Sequence, residues 1–351
     1  MTGFQPPPEV RSDAVMTENL DGMGREVQGL SQGQIVRRRF RHNTAAVVSV
    51  FVFLAIVVLS FSSIGFGMLP GWWKWGYNEQ PSVLDGGQPT LSITGLRFGD
   101  HPFGQDNLGR DLFAMTMRGT QMTLIVMSLV GLLTGVIGVV IGASAGYFRG
   151  RLEGVLMRLT DVIIIIPLLI LAAVLGSMAA TFIERGVAQV VLLGILIGLF
   201  AWTALARLVR AEILSLRERE FVDAARLAGA SDVRIVFKHI LPNTVGVITV
   251  NVTLLLAAAV LIETSLSYLG FGVQPPNWSL GKLISDNQLA LTTRPWLFWW
   301  PGFFIIAICL SINFIGDGLR DAFDPRQKKF DPKKASEQSD LTRGARDGVT
   351  P

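Results

Sequence analysis

Six stretches of this sequence contain no charged residue: Thr44 to Trp73, Gly119 to Phe148, Val162 to Ile183, Gly186 to Ala206, Ile240 to Ile262 and Pro295 to Gly316. Each is long enough to supply the roughly 20 apolar residues that carry an α-helix across about 30 Å of hydrocarbon. A soluble core helix keeps a polar face at helical period, whereas the centres of these stretches are apolar all round. Val162 to Ile166 is β-branched enough to pass for a buried strand, but the apolar run continues past Pro167 for too long. The pattern predicts an all-α polytopic membrane protein with six transmembrane helices. Composition agrees. Only 17% of the 351 residues are charged, against about 25% in soluble domains.

Lys and Arg placement orients the spans. With the N-terminus in the cytoplasm, 24 of the 31 basic residues fall in inside segments and 7 outside, so both termini are expected in the cytoplasm. The basic surplus then reads as a topology signal rather than a ligand signal. The expected division is a cytoplasmic tail over 1–40, a first transmembrane helix over 41–66 and an extracytoplasmic loop over 67–118. A core of helices two to six follows over 119–317, with a cytoplasmic loop at 212–244, and then a cytoplasmic tail over 318–351. The polar leader ending in Arg37, Arg38, Arg39 and Arg41 is unlike a signal peptide and is expected to be an uncleaved anchor. Both ends are polar and aromatic-poor, which predicts disordered tails.

Several function classes are disfavoured. A net charge of +4 is too mild for a nucleic-acid footprint. One Cys and three His offer neither a disulfide framework nor metal-ligand spacing. No nucleophile and base stand in a plausible catalytic frame. Leu30-Ser31-Gln32-Gly33-Gln34 resembles the signature of ABC ATPases, but the Gly-x4-Gly-Lys-Ser/Thr loop that holds phosphates is missing. No catalytic residue, metal or cofactor is therefore expected in this chain.

The loop between the fourth and fifth helices is the most informative. Glu220 to Ala228 is a good helix former with a small-residue face at Ala224, Ala225 and Ala228. Gly229 ends it at a residue able to take positive φ. Ser231 is placed as the next N-cap, with Asp232 in the first turn, and a second short amphipathic helix runs towards Pro242. Two readings stand on spacing alone. One is a projecting knob whose alanines admit a partner backbone, with Arg226 and Arg234 pairing with acids on the partner. The other is a helix-turn-helix lying on the membrane surface.

Asp223-Ala224-Ala225, then Gly229, then Leu241-Pro242, resembles the EAA motif of ABC importer permeases. Asp223 stands for the usual Glu, and His239 stands where Ile is usual. Three further blocks are similar to the dipeptide, oligopeptide and nickel importers. They are His101-Pro102-Phe103-Gly104 with Asp106 and Leu108 to Asp111; Glu263 to Gly270 with Gln274-Pro275-Pro276 and Trp278; and Gly316 to Asp321 with Asp324-Pro325-Arg326. Together they cover about Gln34 to Gln327 and resemble the C-type permease. The resemblance implies the transmembrane domain of a type I ABC importer. It implies a coupling helix in which Asp223, Ala224, Ala225, Arg226, Gly229, Ala230, His239, Leu241 and Pro242 meet an ATPase. The implied partners are a homologous second permease, two cytoplasmic ATPase subunits that carry ATP and Mg, and an extracytoplasmic binding protein. Peptides are the leading cargo, with nickel complexes or other small solutes as the alternative. An ion-coupled secondary transporter would need intramembrane charges, for which Glu263 near a helix end is slender support.

Some residues remain individually open. Glu263 either lines the outer gate or peptide path, or makes a structural hydrogen bond to a neighbouring helix. Asn251 and Asn313 are weaker candidates of the same kind. Trp278, in a Gly- and Pro-rich loop, is expected to shape the outer gate. Gly131, Gly135, Gly138, Gly142 and Gly146 predict close packing of the second helix. Pro167 predicts a kink in the third, and Cys309 a small buried apolar residue.

Overall fold

The computed structural model describes residues 32–91, 99–182 and 186–324. Most of both expected tails, the segment around Arg97, the Glu184-Arg185 turn, the Leu30-Ser31 half of the signature-like stretch and Pro325-Arg326 lie outside them. In chain order the helices are α1 (Gln32–His42), α2 (Thr44–Ser63), α3 (Leu112–Phe148), α4 (Gly150–Ile165), α5 (Leu168–Phe182), α6 (Val187–Ala201) and α7 (Thr203–Arg217). Then come α8 (Glu220–Leu227), α9 (Asp232–Tyr268), α10 (Leu280–Asn287) and α11 (Trp296–Phe323). Among the described residues α2, α3, α9 and α11 are each long and apolar enough to cross a membrane. The pairs α4–α5 and α6–α7 pass the same test together but are bent by 80° and 41°. Counting each bent pair as one span gives six.

Helix boundaries differ from the charge-free stretches where local chemistry intervenes. Asn43 caps α2, its side chain accepting from the Ala46 N–H at 3.1 Å. The helix stops at Ser63, ten residues before the stretch ends, and an antiparallel hairpin pairs β1 (Gly65–Phe66) with β2 (Leu69–Pro70). Gly65 and Gly67, both at positive φ, turn the chain there without any charge to mark it. Conversely, α3 starts seven residues before its stretch, because Asp111 caps it by accepting from the Ala114 N–H at 2.9 Å. Arg118 therefore lies inside the helix, 7% exposed. Pro167 gives a full break between α4 and α5, sharper than the kink expected there.

The second short helix expected before Pro242 is not separate. Asp232 to Tyr268 is one helix with a π segment over Ile235–Ile240. There the Leu241 N–H reaches the Val236 carbonyl, one residue further back than in an α-turn. The missing N–H of Pro242 is absorbed in that wider turn instead of ending the helix.

The long α3 is the axis of the bundle and packs against α6, α7, α9 and α2. Its glycines set how closely. A Cβ on Gly142 would lie 2.5 Å from the Ala206 carbonyl oxygen, and one on Gly146 2.8 Å from that of Arg210. The α7 backbone thus rides directly on α3, the close approach that small residues permit in lipid. Met122, Val126 and Val130 of α3 meet Val190, Leu193 and Ile197 of α6, with Ala259 and Leu266 of α9. Residues Phe103, Phe113, Leu297 and Phe304 fill the core where α3 begins. That end carries the hairpin and α10. The opposite end carries α1, α8 and the start of α9.

Candidate functional site

At the end where α3 finishes, α8 forms a corner built by its own backbone. Gly229 takes φ +76°, its N–H bonds the Arg226 carbonyl at 2.9 Å, and the Ala230 N–H bonds that of Ala225 at 3.0 Å. This pair is the Schellman arrangement, which closes the last orphan carbonyls of a helix around one left-handed residue. A Cβ at Gly229 would meet nothing within 4 Å, so backbone conformation, not space, is what glycine supplies there.

The corner is anchored on one side and open on the other. Val222 is fully buried with Ile235, Val236 and Ile240 of α9 and Val209 and Ile213 of α7, and Ala225, Ala230 and Leu241 pack around them. The Tyr147 hydroxyl at the end of α3 donates to Asp232 at 2.6 Å. Arg217 donates to the Tyr147 carbonyl, and the Arg226 guanidinium lies over the Tyr147 ring. Asp223, Ala224, Arg226, Gly229 and Pro242 face outward, with Asp223 accepting from Arg226 at 3.0 Å. Leu227 is 91% exposed. His239 is half-buried within the π segment, its carbonyl accepting from Asn243 at 2.6 Å. Ser231 occupies the N-cap position without a capping hydrogen bond from its side chain.

The opposite end is closed by two buried ionisable groups. Glu263 is 0% exposed. Thr123 of α3 and Ser267 of α9 each donate to its carboxyl at 2.7 Å, and the Ser279 hydroxyl also faces it. The Thr123 bond is the neighbouring-helix bond that stood as one of the two readings of Glu263. Arg118 directs Nε and Nη2 at the Asn277 side-chain oxygen (3.1 and 2.8 Å) and Nη1 at Gln121 (3.0 Å). Gln121 in turn donates to the Ser60 and Gly65 carbonyls, both at 2.8 Å. Between these two nodes Trp278, 2% exposed, donates to Asn78 at 2.9 Å and lies under Arg110. Of three consecutive residues, Asn277 and Trp278 thus fasten the loop after α9 onto α3 and the segment before it, and Ser279 fastens it back onto Glu263 of α9. Sequence reasoning singled out Trp278 and Glu263 but missed Arg118 and Asn277.

Beside them His101, 1% exposed, donates from Nδ1 to Asp111 at 2.9 Å, and Trp73 Nε1 donates to the same carboxyl at 2.9 Å. Burial pushes the Asp111 carboxyl up, opposed by those bonds. Asn251 is remote from this cluster and donates to the Val247 carbonyl of its own helix at 2.8 Å.

A third feature lies midway, at the 80° break. A cavity of about 280 Å³ is lined by Thr134, Ile163, Pro167, Phe200, Leu255 and Ala259 among others. The Thr134 hydroxyl is buried there without a hydrogen-bond partner among the described residues.

Residues 138–329 match the family of binding-protein-dependent transport system inner membrane components. The match begins in α3 and takes in the corner and α11. The chain belongs to the binding-protein-dependent transport permeases. Residues 31–84 of this permease, covering α1, α2 and the hairpin, match the N-terminal transmembrane domain of oligopeptide transport permease C. Similar proteins include the oligopeptide transport system permease protein OppC of Mycobacterium tuberculosis, 37% identical over 86% of this chain and 97% of the relative. That of Haemophilus influenzae is 33% identical over 93% and 100%, and that of Escherichia coli 35% identical over 86% and 94%. The family places the permease in the cell membrane as a multi-pass ABC transporter subunit that works with other subunits, with the type I importer fold that the resemblance implied.

Proposed function

We propose that this permease forms half of the membrane path of an ATP-driven oligopeptide importer, a homologous second permease forming the other half. The cargo rests on the relatives, which carry oligopeptide transport names along nearly their whole lengths. Two cytoplasmic ATPase subunits carry ATP and Mg, a binding protein delivers peptide from outside, and this chain performs no catalysis. The end carrying α1 and α8 faces the cytoplasm, because Arg37 to Arg41 and Arg207 to Lys238 belong to it.

One observation carries the coupling role: the outward face of α8 is rigidly joined to three spans. Asp223, Ala224, Arg226 and Leu227 are presented by a closed backbone corner, while Val222 and the Tyr147–Asp232 bond tie that corner to α7, α9 and α3. A push on α8 from an ATPase groove is passed to the bundle instead of being lost in a slack loop. His239, Leu241 and Pro242 lie on the π segment and its exit, through which α9 would take up that motion.

The break at Pro167 supports the position of the path. An 80° break leaves the last carbonyls of α4 and the first N–H groups of α5 without in-helix partners. Lipid cannot satisfy them, so such backbone faces protein or a water-filled cavity. Asn251 precedes Leu255 by one turn, on the face of α9 that lines this cavity. Glu263 and Trp278 hold the frame of the outer gate.

The test is peptide-stimulated ATP hydrolysis by the complex purified with its co-encoded partners. Wild type is expected to respond to peptide-loaded binding protein, and Asp223→Lys to lose that response while keeping normal amounts of assembled permease. Hydrolysis indifferent to both would refute the reading.

A further inference from the structure

We propose that α1 forms a binding site for the phosphate headgroup of an anionic phospholipid. Gln34, Arg37, Arg38, Arg41 and His42 recur at helical spacing, share one face and line an open hollow of about 440 Å³. Arg37, Arg38 and Arg41 are exposed, and among the described residues no carboxylate lies within 4.0 Å of them. The fourth arginine, Arg39, is used differently: Nη1 donates to the Asp324 carbonyl at the end of α11, at 2.7 Å. Asn43 adds a bond to the Asp321 carboxyl at 3.3 Å. One face of α1 is thereby pinned to the protein, while three guanidinium groups line one hollow on another with no carboxylate partner among the described residues.

Position selects the anion. Only Asn43 separates α1 from α2, whose Val48, Phe51, Val52, Leu54 and Val58 are 40–68% exposed and form an apolar outer surface. The hollow thus sits where the apolar span meets the polar boundary, the level of lipid phosphates. Guanidinium groups suit phosphate because their fork makes two parallel hydrogen bonds. A basic residue near an anionic bilayer surface strengthens attachment about fivefold. Orientation of the spans requires basic charge on one side, but it does not require three arginines on one face of a helix fixed by a fourth.

The experiment uses the full chain in nanodiscs of phosphatidylcholine with phosphatidylglycerol as probe, reading retained lipid by native mass spectrometry. Wild type is expected to retain phosphatidylglycerol preferentially. The triple variant Arg37→Gln, Arg38→Gln, Arg41→Gln is expected to lose that preference by on the order of tenfold or more. A control removing equal charge elsewhere, Arg151→Gln, Arg158→Gln, Arg234→Gln, is expected to lose less than about threefold. Equal losses in the two triples would overturn the site, leaving only a general field. Competition by millimolar inorganic phosphate would also overturn it, assigning a free-anion site instead. So would unchanged lipid retention with loss of a co-purifying protein subunit, which would assign a protein dock. If the Gln triple fails to insert, the Lys triple keeps the charge but not the two-point contact. It is expected to lose about two- to fivefold, and no loss would overturn the proposal.

Discussion

Replacing Gly229 by Val isolates the corner of α8 from everything around it. The site has open space for a side chain, so a steric clash contributes nothing. The whole penalty is conformational: a β-branched residue is asked to hold φ +76°, which costs about 1–3 kcal/mol. At about 2 kcal/mol the population with both corner hydrogen bonds, Gly229 to Arg226 and Ala230 to Ala225, falls about 30-fold relative to the opened forms. Gly229 lies on the open side of the corner, away from the buried contacts of Val222, so the spans and their assembly are expected to be unaffected. The assay is the ratio of peptide transported to ATP hydrolysed in proteoliposomes. Gly229→Val is expected to lower that ratio severalfold with assembly intact. Gly229→Asn, which tolerates left-handed backbone, is expected to keep most of it. Equal coupling in Val and wild type, or equal damage from Val and Asn, would refute the argument that backbone geometry at this corner transmits motion.

Substitutions at four other positions probe the packing and the buried bonds. Gly142→Ala drives a methyl against the Ala206 carbonyl of α7 and is expected to cost about 1–3 kcal/mol, seen as a lower melting temperature of the purified complex. Gly135→Ala, with its nearest contact at 3.8 Å, should be close to neutral. Glu263→Leu strips Thr123 and Ser267 of their acceptor, at about 1–3 kcal/mol per stranded hydroxyl, whereas Glu263→Gln should retain an acceptor and most of the stability in thermal unfolding. Tyr147→Phe removes the bond to Asp232, and loosening of the corner should appear as faster hydrogen exchange across 220–235 with the spans unchanged.

The spans were legible because lipid imposes a rule on every residue they contain. Pro167 and Gly229 were legible because each is a residue type with one strong backbone consequence. The start of α3 was not, since Arg118 reads as a boundary when charges alone are counted. What admits it to a buried helix is Asn277, 159 residues further on, together with Gln121. The continuity of α9 was hidden for a related reason: Pro242 ordinarily ends a helix, and only the π segment behind it makes room. The hairpin after α2 carries no charge to mark it, and the bend at Trp202 neither charge nor proline. Within the site, the outward residues of α8 could be named from their motif. Their attachment through Tyr147 joins residues 85 apart, and no local pattern records it.

This permease is expected to move oligopeptide only as part of an ATP-driven assembly. Uptake of labelled oligopeptide into proteoliposomes, with each component omitted in turn, tests it most directly. Uptake is expected only when both permeases, the ATPase subunits, ATP and the binding protein are all present. Sustained uptake without the ATPase subunits, or driven by an ion gradient in the absence of ATP, would contradict it.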